Sequence, residues 1–342
     1  MQIIELLTPS YEAAWLPWAV QYFFLIGICA TTAIMATAAA LAPRGSGMNA
    51  LLPALIAVLL VSALSAPVSL LADLHQPGRF WHFYAHFTPW SWMSIGAVLL
   101  PVFIILSLAF VLAWWLQRTT LLKVTGVLLA MSAASILVYT GAEIMAVRSR
   151  PLWSTPFLPV NLALTGWLAS IGALLLVARW LPGGLKALPQ DTVRKLSLSA
   201  VGALIISAGL WVASGLTGYD SSFGAAFELF RTYDVWRFSM FGSAAAGLII
   251  LLLLFAPAQR HTAPGYSLLI AGAMLATAWT FRWILFMAVQ GVPKYGAGLY
   301  LYSMPLGSDG LLGMIGVLGL CIALIAMVSM AYQILRAPVS LR

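Results

Sequence analysis

Nine apolar runs, each long enough to cross a lipid bilayer, dominate the chain. They lie at about 16–42, 51–72, 91–116, 121–147, 157–180, 195–219, 236–256, 266–290 and 311–336. The hydrocarbon layer is about 30 Å thick, so one helical crossing takes roughly 20 apolar residues. The runs are continuous, whereas a transmembrane strand barrel shows shorter segments of alternating polarity. With 62% hydrophobic and only 8% charged residues, the composition excludes a soluble domain. The expected fold is therefore all-α: a polytopic membrane protein of about nine transmembrane helices, forming a single integral membrane domain over residues 1–342. The first run stops at Pro43-Arg44-Gly45, a helix-breaking sequence. Ahead of it stand Glu5 and Glu12 and no basic residue. A cleavable signal peptide starts basic, so the first helix is expected to be retained.

Nine crossings place the two termini on opposite sides. With the N-terminus outside, the inner segments hold ten basic residues: Arg44, Arg118, Lys123, Arg179, Lys186, Arg194, Lys195, Arg260, Arg336 and Arg342. The outer segments hold six: Arg79, Arg148, Arg150, Arg231, Arg237 and Lys294. The positive-inside rule selects this orientation, with a cytoplasmic C-terminus. Of the acidic residues only Asp191 falls inside. The net charge of +8 thus reads as membrane topology, not nucleic-acid binding. Long connections at 73–90, 220–235 and 291–310 lie on the outer side, where function is expected to gather.

The chain contains an internal echo. "MAVRSRP" (145–151) and "MAVQGVP" (287–293) each end an outward-running helix, and Asp73 and Asp220 end the second and sixth. Two related four-helix units, helices 2–5 (about 51–180) and 6–9 (about 195–336), would account for both, with helix 1 as an extra N-terminal element.

Ionisable groups inside a membrane usually face a cavity or a partner. Glu143 and Arg282 are the clearest cases, and they would pair if helices 4 and 8 are neighbours. Such a pair reads either as structural or as a proton-handling carboxylate. Tyr139 precedes Glu143 by four residues, so a phenol and a carboxyl share one face of helix 4. On helix 1, Trp18, Gln21 and Tyr22 sit near the outer interface. Aromatic belts explain the rings; Gln21 serves either a helix–helix hydrogen bond or a ligand. Cys29 and Cys321 read as packing residues, and two thiols cannot hold an iron–sulfur cluster.

The segment "DLHQPGRFWHFYAHFTPWSW" (73–92) carries three of the four histidines. None lies in a helical core, so a histidine-ligated haem inside the bundle is not expected. His82 and His86 have the i, i+4 spacing of a metal pair, but no cysteine or H-E-x-x-H carboxylate accompanies them and no metal is assigned. A pocket lip of Trp81, His82, Phe83, Tyr84 and His86 fits better, with His and Asp exchanging protons near neutral pH. A quinone requires an apolar channel, hydrogen-bonding partners for two oxygens, and acceptors for two protons. Tyr139, Gln21, His82 and Asp73 are suitable types. The chain holds no recognisable redox centre, so electrons would pass to a partner's cofactor.

The same segment, continued as "DLHQPGRFWHFYAHFTPWSWMSIGA", resembles the loop after helix 2 of the NrfD/PsrC family of membrane subunits, where D-L-x-R-P-x-R-F-W precedes F-x-P-x-S-x-M-S-x-G. "YTG" (139–141) and "RPLWSTPFLPV" (150–160) are similar to that family's fourth-helix end and following loop. The resemblance spans helices 1–5 and weakens over helices 6–9. It implies a haem-free quinol-binding anchor of a bacterial inner-membrane oxidoreductase. Such an anchor takes a menaquinone-type quinol and docks an iron–sulfur subunit that feeds a molybdopterin catalytic subunit on the outer side. Carried over by motif, Tyr139 would contact quinol with Gln21 beside it, while Asp73 and Arg79 shape the loop and relay protons. The family's basic residue two positions after "DL" is Gln76 here, and His75 stands as its replacement. The expected site thus comprises Tyr139, Gln21, His82, Trp18, Tyr22, His75 and Arg79, with Asp73 and Glu143 as proton acceptors. The alternatives are a secondary transporter using Glu143, Arg282 and Asp220, and a structural anchor without quinone chemistry.

Overall fold

The computed structural model describes residues 13, 15–74, 76–256, 262–292, 300 and 302–334. Among these, nine helices are long and apolar enough to cross a membrane, and no strand is present. They are α1 (Pro17–Leu41), α2 (Leu52–Asp73), α3 (Trp92–Trp115), α4 (Thr119–Met145), α5 (Phe157–Val177), α6 (Gln190–Leu216), α7 (Asp234–Leu254), α8 (Pro264–Trp283) and α9 (Leu311–Ile334). Helices prevail because lipid offers no hydrogen-bond partner and every backbone group must be satisfied within its own segment. Pro17 and Pro264 stand in first turns, where a missing N–H costs least, and Ala42 is extended ahead of Pro43, whereas Pro67 and Pro101 lie inside α2 and α3.

The helix contacts close two rings, α1–α2–α3–α4 and α5–α6–α7–α8, with α9 leaning on α2 and α1. The frame therefore differs by one helix from the expected units: α9 is the outlier and α1 is central, packed against α2, α4, α5, α8 and α9. The sequence echo sets only a four-helix offset, and either frame satisfies it.

The rings meet where α1 crosses α5 and α8. A Cβ on Gly166 would sit 3.0 Å from the Gly27 carbonyl oxygen, so the backbones touch there. Ser170 of α5 donates to the Ile28 carbonyl at 3.0 Å and meets the hydroxyls of Thr31 (2.6 Å) and Thr32 (3.0 Å). Into the same crossing α8 inserts Arg282, only 1% exposed. Its Nε donates to the Phe23 carbonyl (2.9 Å), Nη2 to the Leu162 carbonyl (3.0 Å), and Nη1 to Thr165 Oγ1 and the Ala278 carbonyl (both 3.1 Å). The expected Arg282–Glu143 pair does not form. The planar guanidinium fork spans three helices at once, whereas Glu143 lies nearer the rim, on a helix that α8 does not neighbour closely. The chain continues past Arg282 as a π-helical stretch, Ile284–Ala288.

Two connections hold structure the sequence reading treated as loop. Residues Ser221–Thr232 form an amphipathic helix along the rim that bears the start of α1. Phe223, Phe227 and Phe230 recur at helical spacing on it, with neighbouring rings near-parallel at 6.3 and 6.4 Å. The 76–91 connection carries a 3-10 turn (Pro77–Arg79) and a four-residue helix (His82–Ala85). Cys29 is buried with Sγ facing the Leu59 carbonyl, and Cys321 is half-buried, both in packing positions.

Replacing Arg282 by Met is expected to destabilise the protein by about 3 kcal/mol, because several bonds across helices go at once. The Arg282→Lys variant should recover only part of this, since one ammonium cannot reach three helices. Thermal unfolding in detergent reads both.

Candidate functional site

The site is built from the helix ends at the rim where α1 begins. Tyr139 and Glu143 lie one turn apart near the end of α4. They lie within electrostatic range of each other, and Tyr139 is buried. Tyr22 of α1, also buried, lies within electrostatic range of both, and Asp73, the last residue of α2, within that of Glu143. Gly96 of α3 completes the wall. A Cβ there would overlap the Tyr139 ring and hydroxyl, so only glycine lets the phenol take this position. The first ring thus brings together two phenols and two carboxyls from three helices.

Other expected residues fall elsewhere. Gln21 is 1% exposed and turns toward α9, its Nε2 donating to the Met314 carbonyl at 3.1 Å. Trp18 packs on Gly313 at the start of α9. Arg79 is exposed on its 3-10 turn. His82 is exposed too, its ring edge-on to Trp81 at 4.1 Å and to His86 at 6.0 Å. These rings and Phe80, Phe87 and Trp90 form an open aromatic surface rather than a closed lip. Tyr84 ties it down by donating to the Ala97 carbonyl of α3 at 2.9 Å. His75 lies outside the described residues.

The two echo segments touch. Arg150 of "MAVRSRP" donates to the carbonyls of Val289 (2.7 Å), Gln290 (2.9 Å) and Val292 (3.0 Å) in "MAVQGVP". A cation near the final carbonyls of a helix complements its dipole. Trp153 adds a bond from Nε1 to the Leu285 carbonyl at 2.7 Å, inside the π-helical stretch. Gln290 in turn grips both backbone groups of Trp15 just before α1. Beside this junction lies a cavity of about 430 Å³, walled by Arg150, Leu152, Glu228, Thr232, Tyr233 and Val292.

Asp220, the counterpart of Asp73, is fully engaged in structure. It caps the amphipathic helix, accepting from the Ser222 N–H at 2.8 Å and from the Thr155 hydroxyl at 2.5 Å. Burial opposes its charge, but the hydrogen bonds from Ser222 and Thr155 outweigh that and hold the carboxyl below its ordinary range. Residues that the sequence reading did not single out are Gly96, Trp153 and Thr155, although the quoted patterns "WSWMSIG" and "RPLWSTPFLPV" contain all three.

Fold and site together define a multi-span membrane protein with its chemically versatile groups gathered at one rim. The chain belongs to the NrfD family: the family model described as "Polysulphide reductase, NrfD" matches residues 6–294. It is 34% identical over 318 residues to a subunit of tetrathionate reductase from Salmonella typhimurium, covering 91% of this chain and 89% of that protein.

Asp220→Ala is expected to cost about 1 kcal/mol through loss of the helix cap. Because the folded-state value lies below the unfolded value of about 3.9, the wild-type contribution is full above that pH. It disappears as the pH falls through the folded-state value. Acid unfolding of wild type and Asp220→Ala should therefore converge at low pH.

Proposed function

We propose that this chain is the quinol-oxidising membrane subunit of a tetrathionate or polysulfide reductase-like complex. The observation that carries it is the convergence of Tyr22, Tyr139, Glu143 and Asp73 at one rim, in a chain similar to a tetrathionate reductase subunit. Tyr139 holds a head-group oxygen, and Glu143 and Asp73 accept the two protons released when quinol becomes quinone. The two electrons pass to an iron–sulfur subunit docked on the outer face, which feeds a molybdopterin catalytic subunit. His82 and Arg79 belong to the connection on that face. The protein sits in the bacterial inner membrane with the N-terminus outside, as the basic residues favour. A menaquinone-type quinol suits the site.

The transporter reading loses two of its three groups. Arg282 is spent on backbone carbonyls and Thr165, and Asp220 on Ser222 and Thr155. The structural-anchor reading is separated by experiment. In the assembled complex, Tyr139→Phe and Glu143→Gln should lower quinol-dependent acceptor reduction about 10- to 100-fold, while reduction driven by a dye that donates directly to the partner subunits is unchanged. Unaltered quinol rates in both variants favour the anchor. Gly96→Val should act like Tyr139→Phe, since its side chain takes the phenol's place. Co-purification of an iron–sulfur protein and a molybdenum enzyme tests the partners; a solitary chain would count against them.

A further inference from the structure

The cavity of about 430 Å³ beside the α4–α5 connection has no part in the proposed quinol chemistry. A second cavity, of about 380 Å³, is lined by Gly224, Phe227, Glu228, Arg231 and Thr232. Glu228 and Thr232, one turn apart, wall both, so the two spaces lie side by side along the amphipathic helix. Each is of the size that takes a small molecule.

This recess carries one available charge of each sign. Glu228 and Arg231 are exposed and stand three positions apart, a spacing that puts side chains about 5–6 Å from each other on a helix. They do not pair: among the described residues the one ion pair is Arg237–Asp234, at 3.0 Å. Arg231 lies instead over the Phe227 ring, its guanidinium carbon 5.9 Å from the centroid. Arg150, also in the wall, is already committed to three carbonyls at the end of α8, whose dipole its charge offsets. Glu228 is thus the group open to a cation and Arg231 the group open to an anion. Ser149, Thr232 and Tyr233 add hydroxyls to the wall that Glu228 shares.

The surroundings of the recess are apolar. Phe230 of the amphipathic helix meets Phe241 of α7 edge-on at 5.6 Å, and α7 is the least buried of the described spans. Phe227 is half exposed, and Phe238 on the first turns of α7 is 76% exposed. An apolar track therefore leads from the charged recess down the outside of α7. An amphipathic helix of this kind lies at the level of the lipid head groups, with its apolar face toward the acyl chains. A ligand matching the whole arrangement has an anionic and a cationic centre a few bonds apart and an apolar tail. A quinone has the tail and neither charge.

We propose that this recess is a binding site for a phospholipid with a phosphoethanolamine head group, its phosphate held by Arg231, its primary ammonium by Glu228, and its acyl chains laid along α7. The ammonium brings N–H donors to the carboxylate and the neighbouring hydroxyls. A choline head group has no N–H to give, and a glycerol head group has no cation. The site is independent of the quinol reading.

The test offers the purified full-length chain, stripped of lipid in detergent, equal amounts of phosphatidylethanolamine, phosphatidylcholine and phosphatidylglycerol with identical acyl chains. Native mass spectrometry counts what is retained. Wild type is expected to retain phosphatidylethanolamine about tenfold over each of the others, the worth of one charge-assisted hydrogen bond. Glu228→Gln should bring phosphatidylethanolamine to within about twofold of phosphatidylcholine. Arg231→Gln should lower retention of all three about tenfold and keep their order, since each carries a phosphate. Both side chains are exposed, so unchanged melting temperatures are expected alongside. Equal retention of the three lipids by wild type overturns the inference and needs no variant. A preference that survives Glu228→Gln also overturns it. Displacement of the lipid by an equal concentration of soluble glycerophosphoethanolamine would show that the tail adds nothing, and the lipid assignment would fall. Loss of the lipid in the assembled complex, with Glu228→Gln releasing a partner subunit, would assign the recess to that protein instead.

Discussion

A single guanidinium organises the centre of this protein. A charge inside a bilayer is tolerated only if the polar contacts it would make to water are replaced. Arg282 achieves this with the carbonyls of α1, α5 and α8 and one threonine hydroxyl. Among the described residues no carboxylate takes part, so the bonds tie helices rather than an ion pair. Once α8 is held against α1 and α5, the two rings of helices cannot slide past each other. The close approach at Gly27 and Gly166 and the hydroxyl cluster around Ser170 then follow from the same crossing.

What this central tie positions is the rim. With α1 held in the middle, its first turns are presented to α4 on one side and α9 on another, which is why adjacent residues Gln21 and Tyr22 face different neighbours. The end of α8 acts as a second fastening point. Arg150 and Trp153 reach it from the α4–α5 connection, and Gln290 reaches from it to the start of α1. The proposed quinol chemistry thus rests on helix ends whose relative positions are set by backbone carbonyls, not by side-chain packing alone. The pseudo-equivalent aspartates illustrate the divergence of the halves. Asp220 is consumed in capping a helix. Asp73 stands within electrostatic range of Glu143, and in the second half the residue matching Glu143 by the echo is Leu285.

Much of the fold was readable because lipid enforces it. A run of twenty apolar residues has few options in hydrocarbon, and the nine expected spans match the nine described helices to within a few residues. Tyr139 and Glu143 were readable as a pair because four residues is one helical turn. Whether Glu143 pairs with Arg282 was not readable, since opposite charges on two helices say nothing about whether those helices meet. The amphipathic helix at Ser221–Thr232 had its signal in the phenylalanine spacing, yet it is too short and too polar to register as a span. The open aromatic surface around His82 and Trp81 reads alike, in sequence, as a lip or as a platform. Only the fold of the connection separates them.

By itself, the order of residues determined the all-helical architecture, the number of spans, the four-helix offset of the echo and the kinds of group available at one rim. These are local properties, set by bilayer thickness and helical periodicity. Tertiary structure decided the frame of the two rings, the burial of Arg282 among carbonyls, the meeting of Tyr22 with Tyr139 and Glu143, and the turn of Gln21 toward Met314. Each depends on which helices become neighbours. That outcome is governed by glycine-to-glycine approach and buried hydrogen bonds between residues more than a hundred positions apart, which no local pattern encodes.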